Sequence, residues 1–437
     1  MSDFVIAPKP AAHVGAGAIA QLPAIVRATG AVQVVVVTDA ALAATPVIAT
    51  VQAVLDAAGI PARLFAGVHP NPTTDDIAAG ADAVAQVAAD ASASAFAAAE
   101  AAAVTATLKA SAPLTAQPAP SRASAASAAA APPVPAAPPT RRIALVAVGG
   151  GSPIDAAKGI ALAAVNPQRG RDLDYRRDFA VPALPIVAVP TTAGTGSETN
   201  AFGVVTDPAG HRKFYVGHAS SMPAAAILDP ALTVGLPPAV TAATGLHALT
   251  HALESYLSVR PNPWSDGIAL QVIRMIAASL PRAYANGGDL AARSQMLLAA
   301  HMAGVAMANT GLGLCHAIGH SLGARWDIAH GVALAMPLPE VLRFNLPVRT
   351  QRLAEVAFAL GAGDTRADEQ RNAAATIGAV AELRDWIGLN RQIGEFGVTE
   401  ADFGQIAADA LHDEVLATTP RPPTGDDIRA ILMACVG

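Results

Sequence analysis

The sequence predicts a chain in two parts: an α/β half built on a mainly parallel sheet, then an all-helical half. Three observations carry this expectation. Short β-branched apolar runs alternate with amphipathic segments over the first half of the chain. Those runs end at glycine, proline or an acid, as strands feeding loops do. Beyond about Pro238 the strand signals stop, and long Ala/Leu-rich segments run to the C-terminus. Residues 1–238 and 239–437 are therefore read as separate domains.

Taken in order, "VQVVVVTD" (Val32 to Asp39) is the first clear strand, followed by the helix-like "AALAATPVIATVQAVLDAAGI" and the strand "ARLFAGV". "IALVAVGGG" (Ile143 to Gly151) and "LPIVAVPTT" (Leu184 to Thr192) repeat the theme. Such βα units place ligands at the carboxyl ends of the strands. One segment belongs to no core. From about Asp90 to Thr140 the chain is almost all Ala, Ser, Pro and Thr. Its first half has the propensity for an alanine helix, its Pro-rich second half cannot be helical throughout, and small side chains bury too little area to offset ordering entropy. A mobile surface insert is expected.

Bulk properties narrow the function. The 437 residues are 52% hydrophobic, enough for two or three domains with cores of their own. A net charge of -6 gives no general basic footprint for nucleic acid. Mean hydropathy is +0.40, but alanine inflates it, and the apolar runs are cut well short of the roughly 18 residues a membrane span needs. Two cysteines, Cys315 and Cys435, are too few for a disulfide framework, and the N-terminus "MSDFVIAPKPAAHV" has no basic region followed by an apolar run. A soluble cytoplasmic protein without nucleic-acid or membrane partners is the expectation.

The strand-end loops carry the first chemistry. Gly149, Gly150, Gly151 and Ser152 lie between a strand and a helix, where glycine lets backbone N–H groups approach a phosphate at a helix N-terminus. Asp155 and Lys158, a turn apart, add polar groups beside that loop, and "PTTAGTGSE" closes the next strand with Thr191, Thr192, Thr195 and Ser197. Two such loops at separate strand ends suit a dinucleotide pyrophosphate better than two unrelated tight turns do. Asp39, ending the first strand, has the position of a carboxylate that binds ribose hydroxyls and repels a 2′-phosphate, which points to NAD over NADP. A helix N-cap at Thr38 or Asp39 explains the same residue, and both roles are compatible.

The second chemistry is imidazole. His247 and His251 are four positions apart in "TGLHALTHALESY", and so are His316 and His320 in "GLCHAIGHSLGARWDIAHG", with His330 ten residues further on. A lone histidine in an apolar helix is more often a satisfied core residue than a ligand. Five of the chain's 11 histidines in two short segments favour a transition-metal site, because pairs one helical turn apart chelate a single ion.

The order of "GGGSPIDAAK", "PTTAGTGSE", "HALTHALESY" and "CHAIGHSLGARWDIAHG" resembles the iron-containing alcohol dehydrogenase family over nearly the whole chain, apart from the 90–140 insert. The resemblance implies an N-terminal Rossmann-like NAD-binding domain, a helical C-terminal domain, and one divalent metal between them, iron(II) or sometimes zinc(II). It also implies a homo-oligomer, a dimer. Carried over, three metal ligands fall on His251, His316 and His330, and His320 matches an additional active-site histidine near the nicotinamide, a candidate to relay the alcohol proton. The first ligand departs from the pattern: His247 stands where the family usually has Asp. Imidazole also binds these ions, so a four-histidine site is chemically possible, one negative charge poorer.

The function implied is metal-dependent, NAD-linked hydride transfer on a small primary alcohol or aldehyde. A metal-independent reductase of the maleylacetate reductase type and a nucleotide-binding relative with weak catalysis are the alternatives. Retention of His316 and His330 argues against the former, whereas the altered ligand at His247 is the support for the latter. Apart from Arg325, no cluster of Arg or Lys lies within these motifs, so an anionic substrate is not specifically indicated.

Overall fold

The computed structural model describes residues 6, 10–110, 139–209 and 212–436. In chain order the α/β part comprises β1 (Ala11–Val14), α1 (Leu22–Ala28), β2 (Gln33–Asp39), α2 (Ala40–Ala43), α3 (Pro46–Ala57), β3 (Ala62–Val68), α4 (Thr74–Ala110), β4 (Ile143–Gly149), α5 (Gly151–Ala163), β5 (Ile186–Pro190), β6 (Phe202–Asp207), β7 (Arg212–Gly217) and β8 (Ala225–Leu228). The helical part comprises α6 (Pro238–Leu257), α7 (Pro263–Ala285), α8 (Leu290–Thr310), α9 (Leu314–Trp326), α10 (His330–Ala335), α11 (Leu338–Leu360), α12 (Glu369–Trp386), α13 (Phe403–Leu411) and α14 (Gly425–Met433).

Six strands form one parallel sheet in the order β1-β8-β5-β4-β2-β3. Its central strands are continuous apolar runs because both faces are covered. Val35, Val37, Leu145 and Ile186 face α4 and α5, whereas Val34, Val36, Val146 and Val187 face α1 and α3, so alternation along each strand feeds two separate cores. β2 leads outward to β3, but β4 lies on the other side of β2, which makes a topological switch between β2 and β4. Ligand crevices in open α/β sheets form at such switches.

Four strands had no clear sequence signal. β1 and β8 are alanine-rich and gain their place by pairing with each other and, through β8, with β5. β6 and β7 pair antiparallel in a separate two-stranded sheet that packs on α5 and reaches α9 through β7. The first part of the low-complexity segment forms the alanine helix its composition favours, as the continuation of α4 to Ala110. The remainder of that expected mobile insert, residues 111–138, lies outside the described residues.

The helical half packs around α6, in which Gly245 through Leu257 are all buried. A helix buried on every side is expected to be apolar all round. Here it carries His247, Thr250, His251, Glu254 and Ser255 inward, and each of those polar groups must find a partner or a ligand. Cys315 and Cys435 are buried free thiols. Among the described residues no single helix is long and apolar enough to cross a membrane.

Candidate active site

At the switch point, the strand-end loops meet. The Thr191 amide donates to the Gly149 carbonyl at 2.9 Å, locking the loop after β5 to the loop after β4. A Cβ at Gly151 would stand 2.9 Å from Thr195 Cγ2, so a side chain there would push the loops apart. Gly196, at φ +61, sits where a Cβ would come within 2.6 Å of Gly304 Cα, which brings the second loop directly onto α8. Buried Glu198 fixes the same loop by facing His301 of α8 at 3.0 Å. Thr192 Oγ1 is buried beside Gly150 without a hydrogen-bond partner, as a hydroxyl awaiting a phosphate oxygen would be. Gly150 precedes α5, whose first-turn amides give the crevice the character of an anion site. Asp39 ends β2 beside it and accepts the Leu42 amide at 2.8 Å, so the N-cap role is present and the ribose role is compatible with it.

Asp155 and Lys158 divide their tasks. Asp155 accepts the Val204 amide at 3.0 Å, pairs with the Ser197 hydroxyl, and lines the cleft. Lys158 departs from the expectation that it meets a cofactor: it is fully buried, and its ammonium donates to Ser197 O at 2.7 Å, Asn200 Oδ1 at 3.0 Å and Phe202 O at 2.5 Å. Burial lowers its pKa against the opposing pull of Asp155 and Glu198. Its effect is to hold the Ser197 loop to β6.

Across the cleft the histidines converge. α6 presents His247 and His251, α9 presents His316 and His320, and α10 opens with His330. Ring centroids lie 4.2 Å apart for His247 and His251, 4.6 Å for His247 and His330, and 4.9 Å for His251 and His316. One ligand nitrogen from each of His247, His251 and His316 falls within 4.8 Å of the others. Burial, then the neighbouring imidazoles, holds the pKa of His247, His251 and His330 well below the ordinary value, so these rings are neutral and carry lone pairs.

This donor set fits a metal. Two nitrogens bound at about 2.1 Å to one tetrahedral ion stand roughly 3.4 Å apart. His247 Nε2 and His316 Nε2 are 3.4 Å apart, the separation of two nitrogens on one such ion. His330 Nδ1 is buried without a partner. His247, the departure from the family pattern, is thus inside the nest and turned toward His316.

Three contributors were missed from sequence. Glu254, one turn beyond His251, accepts His316 Nδ1–H at 2.5 Å together with the amides of Gly313 at 3.0 Å and Cys315 at 2.8 Å. It therefore caps α9 and fixes the His316 tautomer that aims Nε2 into the nest. Asp413 does the same for His320, whose Nδ1 lies 2.6 Å from its carboxylate. Burial works against that carboxylate, but its attraction and hydrogen bonds to the His320 ring and the Val415 amide outweigh it and keep the Asp413 pKa below the usual range. Lys213 reaches in from β7, bonded to Asn71 Oδ1 at 2.9 Å; burial pushes its pKa down to about 8 against the pull of Asp327 and Asp155. Arg325 instead pairs with Asp409 at 2.6 Å on the flank of α13. A cavity of about 170 Å³ joins crevice and nest, lined by Ser152, Ser197, Lys213, Met307 and Leu312 besides the histidines.

A dinucleotide-type crevice opening onto a nest of neutral imidazoles defines a metal-dependent dehydrogenase. Residues 10–140 and 136–230 match the family described as iron-containing alcohol dehydrogenase, and residues 241–436 match its C-terminal part. The NAD-dependent methanol dehydrogenase of Bacillus methanolicus is 32% identical over 432 residues, 99% of each chain. The probable alcohol dehydrogenase EutG of Escherichia coli is 44% identical over 290 residues, 66% of this chain and 72% of that one. The crystal structure of a 1,3-propanediol oxidoreductase superposes with a TM-score of 0.84 at 32% identity, covering 100% of both chains. The chain belongs to the iron-containing alcohol dehydrogenase family and is an oxidoreductase of that family.

Proposed function

We propose that the chain is an NAD-linked, metal-dependent alcohol dehydrogenase that moves hydride between the nicotinamide and a small primary alcohol or aldehyde. The observation that carries this reading is the imidazole nest at the end of the crevice, with two Nε2 atoms 3.4 Å apart. A divalent ion held by His247, His251, His316 and His330, iron(II) or alternatively zinc(II), supplies Lewis-acid polarisation of the substrate oxygen, with NAD as hydride acceptor. The glycines at 149–151, with Ser152, Thr191, Thr192, Thr195 and Ser197, hold the pyrophosphate, and Asp39 holds the adenosine ribose. Glu254 keeps His316 in the ligating tautomer. His320, whose Nδ1–H is given to Asp413, keeps Nε2 as an acceptor for the alcohol proton. Met307 and Leu312 on the cavity wall exclude water from the reacting atoms.

The reading includes two domains, residues 1–238 for the cofactor and 239–437 for the metal. It also includes a cytoplasmic location, on the cysteine count and the N-terminal sequence, and a homodimer, on the family resemblance alone, with no membrane or nucleic-acid partner; sedimentation velocity tests the dimer. The direct test of activity is NADH formation from short primary alcohols by protein purified with iron(II) or zinc(II). Turnover that chelation abolishes and the ion restores supports the reading; turnover indifferent to chelation promotes the metal-independent reductase.

A further inference from the structure

Two cavities meet at the β6–β7 hairpin. The cavity of about 170 Å³ contains the imidazole nest. A second of about 580 Å³ lies between the hairpin and the helices α9 and α13. Val204, Lys213, Tyr215 and His320 line both. Val204 is small, Lys213 is tied to Asn71, and His320 is tied to Asp413. Tyr215 is the large side chain at this boundary with no such tie. Its ring is held only edge-on, by Phe202 at 5.6 Å, Tyr175 at 5.9 Å and His320 at 6.5 Å, and its hydroxyl is buried without a hydrogen-bond partner.

The charged groups of the second cavity are paired with one another. Arg176 pairs with Asp174 at 2.7 Å and Glu414 at 3.0 Å, Arg325 with Asp409 at 2.6 Å, and the Tyr175 hydroxyl donates to Glu414 at 2.7 Å. With those charges already paired, an ionic group gains little there, whereas the Ser321 hydroxyl on the same wall is buried without a hydrogen-bond partner and would remain so beside an alkyl chain. A neutral, hydroxyl-bearing chain gives it a partner.

We propose that Tyr215 is the specificity-determining partition between these cavities: it confines the native enzyme to short alcohols, and its removal opens a chamber suited to long, hydroxyl-terminated ones. This rests on the alcohol dehydrogenase reading. Tyr215 pairs with Val204 through the backbone, so truncating its side chain leaves the hairpin hydrogen bonds in place.

The experiment compares kcat/KM for α,ω-diols from propanediol to octanediol, and for the matching primary alkanols, in native protein, Tyr215→Ala and Tyr215→Phe. The alanine variant should raise the octanediol-to-propanediol ratio about tenfold or more, the scale at which a pocket discriminates by bulk. The gain should be larger for diols than for alkanols, and the phenylalanine variant, which keeps the bulk, should retain the native ratio. Tyr215→Val, which preserves a β-branched strand former, should show the same direction if the alanine variant folds poorly. An octanediol ratio identical in native and truncated proteins overturns the partition; an equal gain for alkanols overturns the assignment of a hydroxylated chain. Should none of the proteins oxidise any alcohol, the functional reading fails, and calorimetric titration with octanediol still decides the partition: tighter binding to Tyr215→Ala supports it, equal binding refutes it.

Discussion

The crevice at the end of the sheet and the nest among the helices are built from opposite materials. The crevice is mostly backbone: loop amides, close-packed glycines and one carbonyl-to-amide tie between Gly149 and Thr191. The nest is entirely side chain, four imidazoles drawn from α6, α9 and α10, and two of the five histidines at the candidate site are aimed by carboxylates far away in the chain, Glu254 and Asp413. A backbone site tolerates change in most side chains but not in its glycines. A side-chain site fails with any one of its members. Substitutions in the two regions should therefore separate metal binding from cofactor binding.

The largest effect is expected from His251→Ala or His316→Ala, each of which removes a nitrogen from a set already packed within 4.8 Å. Metal content should fall to background and alcohol oxidation with it, while NADH binding followed by fluorescence persists. Simultaneous loss of NADH binding would break the separation. Next comes Glu254→Gln. The amide offers N–H to His316 Nδ1, moves the ring proton to Nε2, and removes the lone pair from the nest; metal affinity should drop about 10–100-fold. Equilibrium dialysis measures this, and unchanged affinity would mean that Glu254 serves only to cap α9.

On the crevice side, Gly151→Val places a side chain 2.9 Å from Thr195 and should weaken NADH binding by roughly tenfold with metal content intact. Asp39→Ser is milder. It retains an N-cap acceptor for Leu42 while removing the charge, so the preference for NADH over NADPH should narrow with little loss of stability. Equal affinities in the native protein would contradict the ribose role.

The smallest and most diffuse effect is on pH. The folded pKa of His247, His251 and His330 lies below the 6.5 of an unfolded chain, so the unfolded state binds more protons once the pH drops under that value. Metal-free protein should hold its thermal midpoint above about pH 6.5 and lose it progressively in acid, beyond what His247→Ala, with one such group fewer, loses. A flat acid profile would show the nest to be more open to water than the structure has it.

The same contrast explains what sequence reveals. Glycine-rich loops after apolar strands and histidines one turn apart are local patterns, and both the parallel sheet and the imidazole nest follow from them. Glu254 stands in the same quoted stretch as His247 and His251, but its partner His316 is 62 residues away, and nothing local announces the pairing. Asp413 is 93 residues from His320. Lys213 and Tyr215 were hidden with their hairpin: "FGVVTDPAGHRKFYVG" has β-branched flanks around Pro and Gly, yet among the described residues its strands form a two-stranded sheet of their own. β1 and β8 read "AAHV" and "AAIL", too poor in strand-forming residues to be recognised before their neighbours exist. Lys158 misleads for the converse reason, since its spacing from the glycine loop says nothing of whether the side chain turns outward or in.

The central claim is that four histidines, His247 included, hold one catalytic ion. Elemental analysis after purification in iron(II) or zinc(II), on native protein, His247→Asp and His247→Ala, tests it most directly. The account predicts about one ion per chain in the native protein, retention in His247→Asp, where a carboxylate replaces the imidazole, and a marked loss in His247→Ala. A native protein that holds no ion under either condition yet still transfers hydride would contradict it.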